Sequence, residues 1–146
     1  MARGNVVSEI GARYITLTED GTAAIVKGDL CIIRAGLVKK VTADSDTAPY
    51  CVAVEAIAKS GSGRVLIEGV VQMDEGNIGA LTLGDYVIPK ASTWDVQKAG
   101  TTDYSSNYVK ANHTANRLIV GMVLEAIAKD GTGKILLIPN QLGLSD

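Results

Sequence analysis

The chain has 146 residues, about one domain's worth, and its 47% hydrophobic content excludes a disordered polymer. Fourteen basic against 16 acidic residues leave a net charge of −2, without the basic patch and aromatic platforms of a nucleic-acid binder. No apolar run approaches the roughly 18 residues of a membrane span. There is no Phe, and the apolar mass is 15 Val, 13 Ile, 12 Leu and 17 Ala broken by 16 Gly. Short β-branched runs cut by glycine predict an all-β chain with tight turns.

Met1 to Asn5 lack the apolar stretch of a signal peptide, so the chain is expected to stay where it is made. Asn5 to Ile10 is apolar enough to bury but matches nothing else in the chain. Residues 1–11 are therefore read as an extended arm. It either adds a strand to a neighbouring chain or belongs to the chain's own barrel. Residues 12–18, rich in β-formers, predict a strand that carries Tyr14. Glu19 to Thr22 reads as a turn and Ala23 to Lys27 as a short strand.

Gly28-Asp29 is a turn signal before the strand Leu30 to Ile33, and Leu37 to Val41 is the next strand. Asp44 and Asp46 superficially suggest a calcium loop. The glycine and distant glutamate that such a loop needs are missing, so a polar connection is expected. Tyr50 to Ala58 and Gly63 to Val71 read as strands joined by the hairpin Lys59-Ser60-Gly61-Ser62-Gly63. Around Glu75 to Leu83 a turn or two of helix is the best helical candidate, weakened by Gly76 and Gly79.

From there the chain echoes itself. Glu125 to Leu136 repeats Glu55 to Leu66 without a gap, with eight of twelve residues identical. Gly84-Asp85-Tyr86-Val87-Ile88 repeats Gly28-Asp29-Leu30-Cys31-Ile32, and Trp94 to Lys98 follows as Leu37 to Val41 does. The second copy is 14 residues longer, around the polar stretch Ala99 to Asn116. The expected architecture is one β-domain over 12–140, a small barrel or sandwich with little helix. It is built from two similar units, about 22–73 and 81–139. Residues 141–146 read as a tail. Each unit, at about 60 residues, would be marginal alone.

No constellation of catalytic residues stands out. His113, the single histidine, sits in a polar stretch and reads as a surface residue. Gly61-x-Gly63 and Gly131-x-Gly133 open into strands and lack the lysine and helix of a phosphate loop. Glu55 and Glu125 are matched carboxylates, readable as inward acids or as outward residues pairing with Lys59 and Lys129. Cys31 and Cys51 read as small buried hydrophobes, able to form a disulfide only if their strands are neighbours. No catalytic, cofactor or metal residues are assigned. The candidate contacts for a partner protein are Asn5, Val6, Val7, Ile10 and Tyr14, with Tyr104 and Tyr108 in the polar stretch.

The order Gly28-Asp29-Leu30-Cys31, Gly36 to Ala43, Cys51 to Ala56 and Gly63 to Val71 resembles the capsid decoration proteins of tailed bacteriophages, also called cement or head-stabilising proteins. Gly84 to Val87, Val96 to Ala99 and Ile119 to Ala126 repeat the theme, and the likeness covers roughly residues 22–139. It implies a virion protein on the outer surface of an assembled head. It would be a homotrimer that clamps the lattice, with the major capsid protein as partner, an N-terminal arm reaching onto it, and neither catalysis nor a cofactor. Competing readings are a tail-tube or head-completion protein and, further off, a ligand-binding barrel.

Overall fold

The computed structural model describes residues 2–43, 49–76, 78–99 and 119–138. Among them the chain forms strands β1 (Arg13–Thr18), β2 (Leu30–Arg34), β3 (Leu37–Lys40), β4 (Tyr50–Ala53), β5 (Ser62–Asp74), β6 (Tyr86–Lys90), β7 (Asp95–Lys98), β8 (Gly121–Val123) and β9 (Thr132–Leu137). No helix occurs among the described residues. The fold is all-β, as expected, and one antiparallel path runs β3-β2-β4-β5-β9-β8-β6-β7, with β1 added to β5.

The 13-residue strand β5 explains the duplication. Its first half pairs with β1 and β4, its second half with β9. Unit 1 is therefore β3-β2-β4-β5-β1, and unit 2 is β7-β6-β8-β9-β5 in the same order. Registers match as well: Leu17 faces Gly63 where Met73 faces Gly133, and Thr18 faces Ser62 where Asp74 faces Thr132. In space the repeat begins earlier than the sequence echo shows, at β1 and at the second half of β5. Gly69, with φ 138°, stands at the joint, against Ala12. Its positive φ lets one strand turn from one unit into the next.

Each unit curls until its first strand meets the β-hairpin on the far side. Glu19 bridges Val38 and Glu75 bridges Val96, both parallel. Asp20 N–H donates to the Val38 carbonyl at 3.0 Å and Gly76 N–H to that of Val96 at 2.9 Å. The enclosed space of unit 1 holds Ile25, Cys31, Val38, Cys51, Ala53, Ile57 and Val65, all 1% exposed or less. Such a narrow interior takes branched aliphatics in place of rings, which accounts for the missing Phe. The other face of the same strands, with Leu30, Ile32, Val52 and Leu66, joins the interior of unit 2 in one continuous cluster.

Three local expectations change. The described residues of 75–83 form no helix; Glu75 and Leu81 make isolated bridges, because both side chains are drawn into unit 2. The expected strand Tyr50 to Ala58 shrinks to β4, and β8, its counterpart in the second copy, is as short. The chain turns at Val54-Glu55 and Leu124-Glu125, so that Ile57 can bridge Ile25 and Ile127 can bridge Leu81. Ala23 to Lys27 makes only the Ile25 bridge.

Candidate functional site

Two carboxylates organise the hairpin tips. Glu19, 2% exposed, accepts from the N–H groups of Ser60 at 2.7 Å, Gly21 at 2.8 Å, Thr22 at 3.0 Å and Ala23 at 3.1 Å. Burial by itself would raise its carboxyl, but the N–H donors outweigh that and hold it at about 2. Glu75, equally buried, repeats the device with Ile78 at 2.8 Å, Asp130 at 3.0 Å and Gly79 at 3.2 Å. The tips carry φ 61° at Ser60 and φ 62° at Asp130. These non-glycine residues sit in the left-handed region, held there by the carboxylate bound to their N–H. One signal for the pair lay in the sequence: Glu19 precedes Gly28, and Glu75 precedes Gly84, by nine residues each.

The Gly-Asp signal also has a cause. Gly28 and Gly84 take φ 94° and 89°. Asp29 then accepts from Val26 N–H at 2.8 Å and Asp85 from Thr82 N–H at 2.9 Å. Lys40 reaches Asp29 at 3.8 Å where Lys98 reaches Asp85 at 3.7 Å. Glu55 and Glu125 are not inward acids. They accept from the N–H of Arg64 at 2.9 Å and of Lys134 at 3.0 Å, tying down the strand after each hairpin. Cys31 and Cys51 are register partners on β2 and β4, both fully buried and both free thiols. The neighbouring Cys51 thiol and burial push the Cys31 thiol up, which disfavours its thiolate form.

The amino-terminal segment lies along its own chain. Gly4 N–H donates to Gln72 at 2.7 Å, Gln72 N–H to Asn5 at 2.9 Å and Val7 N–H to Val70 at 2.9 Å, and Val6 bridges Val71. Arg3 thereby enters the seam between the units. Its Nη2 lies 3.1 Å from Asp29 Oδ1 and 3.0 Å from Asp95 Oδ1, and its Nε lies 3.7 Å from Asp74 Oδ2. Lys40 beside it stacks on Trp94, 3.7 Å from the ring centroid. Three carboxylates thus meet two cations. Burial raises the Asp95 carboxyl to about 6 against the pull of Arg3 and Thr93, with Asp74 and Asp29 adding to the rise.

Asn5, Val6 and Val7 are therefore engaged within the chain; Asn5 Oδ1 also accepts from Lys27 Nζ at 2.6 Å. Ile10 stands 92% exposed at the turn before β1. Tyr14 donates to Glu9 Oε2 at 2.8 Å and lies under the Arg64 guanidinium, 5.0 Å from its ring centroid. Asn5, Val6 and Tyr14 share a cleft of about 320 Å³ with Glu9, Lys27 and Arg64. Tyr104, Tyr108, His113, Asp44 and Asp46 lie outside the described residues. Among the described residues no group of three or more His, Cys, Asp or Glu side chains is placed to hold a metal ion.

No family model and no curated protein matches the sequence. The fold is similar to a solved structure, the N base of the head fiber gp8.5 of bacteriophage phi29. The TM-score is 0.58 at 12% identity, over 86% of this chain and 95% of that one. The likeness therefore takes in both β-units, not a single shared hairpin.

Proposed function

We propose that this chain is a structural, non-enzymatic protein of a bacteriophage virion. It sits on the outer surface of the head and clamps the capsid lattice as a homotrimer, with the major capsid protein as its partner. The observation that carries this reading is the likeness of the whole two-unit fold to the base of a phage head fiber. The resemblance of the Gly-Asp and hairpin motifs to capsid decoration proteins supports it independently of the fold. A lattice clamp needs a stiff scaffold and many repeated contacts, and no reactive site. The capped hairpin tips and the ionic seam suit that demand.

The test is co-sedimentation with expanded heads of a phage that carries this gene, followed by electron microscopy. Saturable binding, with density at three-fold or quasi-three-fold positions of the outer surface, is the expected result. Failure to pellet with heads, or density confined to the neck or tail, would overturn it in favour of a head-completion or tail-tube role. The fiber base also favours a second reading, a head-anchored foot for a longer appendage. Density projecting far beyond a 15.2 kDa domain would select it.

A further inference from the structure

Among the described residues the two units make one junction, and the mouth of unit 1 and the outer face of unit 2 stay partly exposed. At the junction the outer face of unit 1, Leu30, Ile32, Val52 and Leu66, is at most 1% exposed, because it packs into unit 2. Matching registers place Tyr86, Ile88, Met122 and Leu136 at the corresponding positions of unit 2. There Tyr86 is 40% exposed, Met122 and Leu136 are half-buried, and only Ile88 is buried, at 7%.

The receiving side shows the complementary deficit. Val71, Pro89 and Leu137 line the mouth of unit 2 and are buried. Their counterparts in unit 1 are Ile15, Ile33 and Ile67. Ile15 is 37% exposed, and the three line an apolar cleft of about 160 Å³ with Pro49 and Tyr50. Arg13 and Glu68, 3.4 Å apart, form its charged rim. The backbone on this side is open as well. Glu19 N–H bonds Gly61, which sets the phase of the ladder so that Tyr14 and Thr16 turn their N–H and C=O away from β5. The equivalent carbonyls of Val70 and Gln72, and the Gln72 N–H, are bonded by residues 4–7. Among the described residues β1 is laddered only to β5 and closes on β3 just past its end, at the Glu19–Val38 bridge; Tyr14 to Leu17 carry neither proline nor charge to protect the edge before that bridge.

We propose that a second copy of this chain fills the mouth of unit 1 with the outer face of its unit 2, repeating between molecules the junction made once within each. The contact is head-to-tail, so each copy offers one donor face and one acceptor mouth, and the assembly must close as a ring or run on as a filament. The trimer proposed above is the ring that closes at three copies. The inference rests on that reading for its copy number only; the pairing itself requires no capsid.

The experiment is sedimentation velocity on the full chain and on two variants, Ile15→Asp in the mouth and Met122→Asp on the outer face, with circular dichroism to verify folding. The wild type is expected as an oligomer, and each variant alone as a folded monomer of 15.2 kDa. Mixing the two variants should restore association only as far as a dimer, because one sound mouth meets one sound face and both remaining ends are blocked. An oligomer unaffected by either substitution overturns the inference. So does a mixture that stays monomeric while both variants keep the wild-type fold. Should Met122→Asp disturb the fold, Tyr86→Asp, at a more exposed position of the same face, takes its place. Head co-sedimentation separates the two claims. Monomeric variants that still pellet with heads leave the capsid role standing, whereas an intact ring that ignores heads removes the capsid role alone.

Discussion

Replacing Glu19 by Gln tests whether the buried carboxylates are structural clamps. The substitution keeps the size of the side chain and removes the charge. It also turns an amide NH2 toward N–H donors that now have one oxygen to share where there were two. A carboxyl held at about 2 against an ordinary 4.5 corresponds to about 3 kcal/mol of folding free energy, at about 1.4 kcal/mol per pH unit. Because the folded value is depressed, that stability is fully present above pH 4.5 and is lost as pH falls toward 2. Glu19→Gln should therefore lower the unfolding free energy by roughly 3 kcal/mol at pH 7, and the melting temperature by roughly 10 °C for a chain of this size. Urea titrations at pH 7, 4.5 and 3 measure it directly, and the gap between variant and wild type should close steadily with acid. A variant within about 0.5 kcal/mol of wild type at pH 7, or a gap independent of pH, would refute the role given to the four N–H donors.

Asp95 runs in the opposite sense. Its folded value lies above the ordinary one, so the group weakens the fold as pH rises from about 4 through 6, and Asp95→Asn should gain roughly 2–3 kcal/mol on wild type between pH 4 and pH 7, read from urea midpoints. Arg3→Met strands three carboxylates in the seam and should cost roughly 2–4 kcal/mol at pH 8 but less at pH 5, where Asp95 takes up a proton; combining it with Asp95→Asn should recover part of the loss, and strict additivity would argue against a shared cluster. Gly63→Ala and Gly133→Ala each set a Cβ 2.5 Å from the Cγ1 of Ile57 or Ile127. Each should cost roughly 1–3 kcal/mol by crowding the interior, and thermal melts equal to wild type would show that the isoleucines move aside freely.

Much of the fold was legible because the chain writes it twice. The echo of Glu55 to Leu66 in Glu125 to Leu136 marked the hairpins, and the two Gly-Asp steps marked the strands before them. Local chemistry sufficed there, since positive φ and side-chain capping are set within a few residues. The parts that misled were those decided at a distance. Glu75 read as the start of a weak helix because one of its partners, the Asp130 N–H in the second hairpin, lies 55 residues away. Glu55 and Glu125 could be inward acids or outward residues until the chain was seen to turn at Val54 and Leu124.

By itself the sequence determined a Phe-free all-β chain of two similar units, turned by matched glycines and free of any obvious catalytic set. Tertiary structure alone decided how those units meet. It showed β5 shared between them, Arg3 drawn from the amino terminus into a seam of Asp29, Asp74 and Asp95, and, among the described residues, one mouth buried while its twin keeps Ile15 partly exposed. The reason is physical. A strand's own residues specify which side chains alternate inward, but whether an apolar face is covered depends on what the rest of the chain brings against it.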